Sequence, residues 1–347
     1  MFLKQKIKEK LFKNKLIYNI YRFLIIKKKE FFLERKDKKK KLVNVSEDLN
    51  TYIVDTRIST FRWDSVMGLI RASNFFYNEK WSIIIFEDAS LRYHEKEISH
   101  ETYTNNLINI FFQAILILPN PPISVKIINN HYELLKIVKT SKKIFPKNLS
   151  LHGVTQGPKW YLARDFDKED FVNFKKNQPI LKASQYHSKI FENYLNYRNI
   201  NEYITITIRT KSWEKQYWNT TLQDMKLYLD FINKHNLKKH DVLILPDTEK
   251  DVPKEIVSFI ENNKLKYHIF NHGSFSVPMR FLAYSKSKFN FSHSNGPTIL
   301  LFFIENNTFN IQKDPSQSED NNFFIKRLND EIFKNKIYIN FKKHINR

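Results

Sequence analysis

Apolar positions in the chain recur with two periods that alternate from residue 51 onward. Continuously apolar or β-branched runs, at 51–55 (TYIVD) and 81–86 (WSIIIF), predict buried strands. Between these runs, residues 64–79 carry apolar side chains three or four positions apart, which predicts a helix. The pattern therefore starts as strand, helix, strand.

The same alternation continues to residue 312. The further predicted helices are 101–118, 131–141, 184–198, 221–235, 253–263, 277–286 and the short apolar 297–304. The further predicted strands are 125–128, 203–208, 241–246, 267–270, 288–293 and 308–312. Strands that alternate with helices indicate parallel sheets covered on both faces.

Two such halves predict an α/β protein with two Rossmann-like domains that face a cleft. Its 347 residues also exceed the usual length of one domain. We expect a basic helical segment over 1–46, an N-terminal α/β domain over 47–198 and a C-terminal α/β domain over 199–314. Residues 315–347 are predicted to form a tail or helix.

The positive charge is concentrated at the start of the chain. The formal net charge is +22, and residues 1–41 contribute +12 of it through 16 basic and 4 acidic residues. Only 12 of the 58 basic residues are arginine, the residue best suited to bidentate contacts with bases and phosphates. We therefore expect no nucleic-acid partner, although a basic nucleic-acid-binding protein remains a rival interpretation.

Residues 16–26 (LIYNIYRFLII) form the apolar run of this basic segment. The run is too short to span a bilayer, which takes about 20 residues. Apolar residues at helical spacing among lysines suit a helix that lies on an anionic membrane surface. The alternatives are a solvated tail or a packed first helix. We expect a cytoplasmic protein, associated through residues 1–41 with the inner face of the membrane.

Several chemical classes are excluded by missing residues. The chain has no cysteine, and its five glycines form neither a dinucleotide-binding nor a P-loop motif. There is no H-E-x-x-H sequence. The D-F-D sequence at 165–167 is compatible with a metal site, but its surroundings resemble a charged surface. We expect no metal and no cofactor.

Polar residues follow the predicted strands, where parallel sheets bind ligands. In the first half these are Asp55, Arg57 and, at the start of the next helix, Asp64. Either carboxylate can act as general base toward an acceptor hydroxyl, and Asp64 can instead cap its helix.

In the second half, the strand ends carry an arginine, an aspartate and a helix start. Arg209 suits a diphosphate or a salt bridge to a neighbouring helix, and Asp247 suits a sugar hydroxyl or a turn. Arg280 lies within a predicted helix and either pairs with an acid or faces the cleft. The segment His293, Ser294, Asn295, Gly296, Pro297 and Thr298 ends a strand and begins a helix whose free N–H groups suit a phosphate. An ordinary capped helix is the alternative.

These residues resemble a known family. T-I-T-I-R-T, V-L-I-L-P-D-T and M-R-F-L-A-Y-S-K-S-K-F-N-F-S-H-S-N-G-P-T look like the C-terminal domain of GT-B-fold glycosyltransferases. The D-T-R segment and the helix that carries Asp64 resemble the N-terminal half of glycosyltransferase-like proteins from bacterial surface-polysaccharide loci. The resemblance covers roughly 50–95 and 200–312.

The resemblance implies metal-independent transfer of a sugar, typically a hexose, from a nucleotide-sugar to a cell-surface glycan or lipid-linked acceptor. Arg209 and residues 295–297 would match the family's phosphate-contacting groups, and Asp247 its strand-end acid. A glycosyltransferase-like scaffold without catalysis is the rival within the family.

Overall fold

The computed structural model describes a defined set of residues: 49–56, 61–87, 99–146, 177, 181–210, 219–246, 252–293, 296–304, 308–312 and 337–338. The predicted basic segment 1–46, the D-F-D sequence 165–167 and almost all of 315–347 lie outside these residues. The predictions made for them stay predictions.

The chain forms two compact units that interleave along the sequence. The first unit comprises 1–60, 78–97 and 122–162, and the second comprises 61–77, 98–121 and 163–347. The first strand and the helix that follows it thus belong to different units. The predicted segment boundaries and the predicted cleft stay predictions.

The first unit contains a parallel sheet with strand order β3-β2-β1-β4. Its elements are β1 (Asn50–Asp55), β2 (Trp81–Phe86), β3 (Ser124–Ile128), α4 (His131–Thr140) and β4 (Ile144–Phe145). Every residue of β1 and β2 is buried, as their apolar runs predict. Leu134, Leu135 and Ile137 of α4 pack against Ile53 and Ile84 of these strands.

The second unit contains a six-stranded sheet with order β10-β9-β8-β5-β6-β7, and each pairing is parallel. Its strands are β5 (Tyr203–Thr207), β6 (Asp241–Leu245), β7 (Tyr267–Ile269), β8 (Asn290–His293), β9 (Thr308–Gln312) and β10 (Ile337–Tyr338). Its helices are α1 (Trp63–Phe75), α2 (His100–Asn106), a π-helix (Leu107–Phe112), α3 (Gln113–Ile115), α5 (Gln185–Tyr197), α6 (Leu222–Lys234), a 3₁₀ turn (Leu237–Lys239), α7 (Lys254–Asn262), α8 (His272–Phe275), α9 (Val277–Ser285) and a 3₁₀ helix (Gly296–Phe303). We call this last element helix 296–303.

One face of the second sheet is apolar. Ile204 and Ile206 of β5 and Phe291 of β8 pack with Met225 of α6 and Ile256 of α7, among other buried side chains. The start of α6 is fixed by a capping box between Thr221 and Asp224, in which each side chain accepts a backbone N–H.

The opposite face of β5 and β8 is polar and completely buried. Thr205 and Thr207 alternate with the apolar residues of β5, and Asn290 and Ser292 do the same in β8. Thr205 Oγ1 donates to Asn290 Oδ1 over 2.6 Å, and Asn290 Nδ2 donates to the carbonyl of Tyr284 in α9. The Tyr284 hydroxyl lies 2.8 Å from Thr207 Oγ1. A layer of hydrogen bonds thus joins α9 to the two central strands.

Burial also keeps a tyrosine of this layer protonated. Tyr203 is buried, and burial raises the pKa of its hydroxyl well above the ordinary value. The hydroxyl therefore remains a donor, and it donates to the carbonyl of Ala283 in α9 over 3.0 Å.

Most predicted elements are confirmed to within two or three residues. Helix 64–79 ends earlier, at Phe75, and the residues after it form a turn in which Asn78 has a φ of 60°. Predicted helix 101–118 is interrupted by a π-helical segment, and predicted helix 297–304 is 3₁₀. The short elements β4, α8 and β10 were not predicted, because two to four residues carry too little periodicity.

We predict that Tyr284→Phe lowers the free energy of unfolding by about 1–3 kcal/mol. The change removes the hydroxyl that pairs with Thr207 and with the Arg280 guanidinium, and it leaves both buried groups short of a partner. Urea unfolding followed by circular dichroism measures the difference. Tyr186→Phe, at a tyrosine that is 71% exposed, is the control and is expected to change nothing. Equal stability of the two variants would contradict the role of the layer.

Candidate functional site

The site lies where β5 and β8 end. The two strands are parallel neighbours, and Thr207 pairs with Ser292 in their register. Arg209 comes two residues after Thr207 in the sequence. Helix 296–303 begins four residues after Ser292. The sheet therefore brings Arg209 and the start of helix 296–303 to one edge, as their positions after two predicted parallel strands indicated.

Arg209 is held in place by its backbone. Its N–H donates to Thr220 Oγ1 over 2.9 Å, and its carbonyl accepts from the Thr220 N–H over 2.9 Å. This pair of bonds closes the connection between β5 and α6 directly at Arg209. The residue is buried, with 7% of its surface exposed. An arginine with a fixed backbone at a strand end is suited to hold an anion in a defined position.

Helix 296–303 begins against a tryptophan of α1. A Cβ atom placed on Gly296 would lie 2.4 Å from Cβ of Trp63 and 2.7 Å from its Cγ. The group that lies so close to Gly296 is the base of the Trp63 side chain. Pro297 and Thr298 in the first turn are buried.

Two helix N-termini are consequently adjacent. Trp63 is the first residue of the 13-residue α1, and Gly296 is the first residue of the eight-residue helix 296–303. The Arg62 side chain makes no cap hydrogen bond to the N-terminus of α1. The aligned peptide dipoles give a helix start a partial positive charge, roughly +0.5 for an α-helix. The juxtaposition of the two helix starts favours an anion between or beside them.

Asp64 is the second residue of α1 and does not occupy the N-cap position, which belongs to Arg62. Its backbone is therefore next to the residue that contacts Gly296. This position keeps Asp64 in the same unit as Arg209 and helix 296–303.

Arg280 is placed differently from a ligand-facing residue. The side chain has no exposed surface. Its Nε donates to the carbonyl of Gly273 over 2.6 Å, its Nη2 donates to the carbonyl of Pro246, and its Nη1 donates to the Tyr284 hydroxyl over 3.3 Å. Ser274 Oγ also donates to the Pro246 carbonyl. The guanidinium thus binds the backbone carbonyl that follows β6 and one in α8, and its side chain is fully buried. The expectation that it either pairs with an acid or faces a cleft is therefore corrected.

The remaining predicted residues fall into two groups. Asp55 is the buried last residue of β1 and belongs to the first unit, and His293 is the last residue of β8. Those outside the described residues are Arg57, Asp247, Ser294 and Asn295. Sequence reasoning missed Trp63, although it stands directly before Asp64. Its contact with Gly296 joins distant parts of the sequence and leaves no trace in either segment.

Metal ligands and membrane spans were sought among the described residues. No group of three or more His, Asp or Glu side chains in them is arranged to hold a metal ion. None of the described helices combines the length and the apolar character needed to cross a bilayer.

Comparisons with known proteins give structural likenesses alone. No protein-family model and no curated protein matches the sequence. Among solved structures, the chain is similar to a glycosyl transferase family 9 protein from Veillonella parvula, with 8% identity, a TM-score of 0.46, and 80% of this chain and 84% of that chain covered. It is also similar to E. coli heptosyltransferase WaaC, solved with ADP-2-deoxy-2-fluoro heptose (12% identity, TM-score 0.38, 84% and 93% covered). A third similar structure is Bradyrhizobium fucosyltransferase NodZ, with 10% identity, a TM-score of 0.35, and 73% of this chain and 91% of that chain covered.

These TM-scores are all below 0.5, so the likenesses carry no weight in assigning a function. An assignment of function therefore rests on the residues of this chain.

We predict that Gly296→Ala destabilises the second unit by about 1–3 kcal/mol, because the new Cβ has no room beside Trp63 Cβ. The clash involves the base of the tryptophan, so Trp63→Ala in the same chain should not relieve it. Thermal unfolding of the single and double variants measures both effects.

Gly273→Ala is the matched control. The added methyl there meets the end of the Leu245 side chain at 2.9 Å and the ring of Phe270 at 3.1 Å, both farther away than Trp63 Cβ is from Gly296. We therefore expect a smaller loss of stability than for Gly296→Ala. A Gly296→Ala variant as stable as Gly273→Ala would contradict the close packing of α1 on helix 296–303.

Proposed function

We propose that the chain is a glycosyltransferase that moves a sugar from a nucleotide-sugar to a glycan or lipid-linked acceptor. The observation that carries the proposal is the convergence of Arg209, the start of helix 296–303 and the start of α1 at the edge of the second sheet. The family resemblance of the sequence around these residues supports the same reaction.

All three groups favour negative charge, and a nucleoside diphosphate is the leaving group of sugar transfer. In the reaction, the acceptor oxygen forms a bond to the anomeric carbon while the bond from that carbon to the diphosphate oxygen breaks. Negative charge then grows on the diphosphate. Arg209, the backbone N–H of Gly296 and the positive end of helix 296–303 stabilise this charge, which is the type of electrostatic help that lowers such barriers most.

A proton must leave the acceptor hydroxyl as its oxygen attacks. Asp64, in the first turn of α1, is our candidate for the base because its backbone is adjacent to the Trp63 and Gly296 contact. The proposed reaction involves no metal ion, since the cationic groups of the chain supply the positive charge that stabilises the diphosphate. Asp55 remains a second candidate, on the first unit.

We also propose that the enzyme acts at the inner face of a cytoplasmic membrane. Lipid-linked acceptors lie in membranes, and the 16 basic residues among positions 1–41 suit the anionic inner face of a cytoplasmic membrane. Polysaccharide assembly in a bacterium is the setting that fits both features.

We predict that Arg209→Ala abolishes sugar transfer, by at least about a hundredfold in kcat, with the fold intact. A thermal-shift panel of UDP, GDP, ADP and dTDP first identifies the nucleotide that stabilises the wild-type chain. Release of that nucleotide from its commercially available sugars, with and without glycan acceptors, then measures activity.

Arg198→Ala is the control, because Arg198 is exposed and its guanidinium stacks on the neighbouring ring of Tyr197. It should behave as wild type. Full transfer by the Arg209→Ala variant would refute the donor site. Failure of every nucleotide to bind the wild-type chain would favour a scaffold without catalysis.

A further inference from the structure

Trp63 carries a buried hydrogen-bond donor for which the described residues supply no acceptor. The side chain is 8% exposed, and its indole Nε1 is closed off from solvent. No acceptor within hydrogen-bonding distance of Nε1 is found in the part of the chain that the structure describes. An indole nitrogen is a donor only, so the group has no other way to be satisfied.

The unused donor lies at the start of helix 296–303. The Trp63 ring atom Cδ1 is 2.8 Å from the position that a Cβ on Gly296 would occupy. Cδ1 is bonded to Nε1, so the N–H belongs to the ring edge that faces this first turn. The donor is therefore beside the N–H groups of the helix and beside the N-terminus of its own helix, α1.

Leaving a buried donor without a partner costs free energy, and folded proteins rarely retain one without a reason. A hydrophobic residue of similar shape would fill the same space against Gly296 without that cost. The identity of residue 63 thus indicates an acceptor that arrives with a ligand. Because the surrounding charges are the positive ends of two helices, the acceptor must be anionic.

We propose that the Trp63 indole N–H donates a hydrogen bond to an oxygen of the diphosphate bound at the start of helix 296–303. The proposal rests on the proposed function and adds a side-chain donor from α1 to the site formed by Arg209 and the two helix starts. Arg209 and Trp63 then contact the anion from two elements, which fixes its orientation as well as its position.

Trp63→Phe tests the proposal, because phenylalanine keeps the aromatic contact with Gly296 and removes only the N–H and the second ring. The probes are inorganic diphosphate and the nucleoside diphosphates UDP, GDP, ADP and dTDP, with affinity measured by calorimetry. We expect the variant to bind the nucleotide preferred by the wild type about tenfold more weakly, the loss typical of one hydrogen bond to a charged acceptor.

The NMR signal of the Trp63 indole N–H in the wild-type chain gives a second measurement, which does not depend on the stability of the variant. In ¹⁵N-labelled protein the spectrum contains the indole N–H signals of five tryptophans, and the signal absent from Trp63→Phe is assigned to Trp63. It should move downfield on titration with the bound probe. The signal of Trp81, which is buried in the first unit, should stay in place.

The outcomes separate the two proposals. Binding of a probe to the wild-type chain with an unmoved Trp63 signal overturns the role of Trp63 and leaves the proposed function standing. Absence of binding by every probe overturns both. A moved Trp63 signal together with weaker binding by Trp63→Phe supports both.

Discussion

The buried guanidinium of Arg280 is the constraint on which the second unit depends. A charge removed from water is costly unless hydrogen bonds replace its hydration, and here backbone carbonyls do so. The carbonyls of Gly273 and Pro246 belong to α8 and to the residue that follows β6. A single side chain of α9 therefore fixes the positions of two connections at the edge of the sheet.

The polar layer beside Arg280 extends this constraint to β5 and β8. Tyr284 contacts the guanidinium, Thr207 and, through its carbonyl, Asn290. Because a partly satisfied buried network is costly, the two strands have one favourable register on α9. That register brings Arg209 and helix 296–303 to the same edge, so the geometry of the candidate site follows from this buried network.

The sequence was most informative where a pattern is local. The alternation of threonine and isoleucine in 203–208 predicts a strand, and its two faces explain why one side of β5 packs on isoleucines and the other on hydroxyls. Arg209 was found because it follows that strand directly. Arg280 was singled out as well, but periodicity does not distinguish a cation that faces a ligand from one that binds carbonyls.

The contact between Trp63 and Gly296 had no such local signal. It depends on the packing of α1 against helix 296–303, which brings together residues from opposite ends of the described chain. The sequence predicted a helix start at residues 296–298, and the structure identified Trp63 as the side chain packed against it. Long-range packing of this kind determines whether a helix start is only capped or also forms part of a binding site.

A crystal structure of the wild-type chain with its bound nucleoside diphosphate tests the central claim most directly. The account predicts phosphate oxygens within about 3 Å of the backbone N–H of Gly296 and of the Arg209 guanidinium, the usual hydrogen-bond range. A nucleotide bound elsewhere, with the start of helix 296–303 contacted by no phosphate, would contradict it.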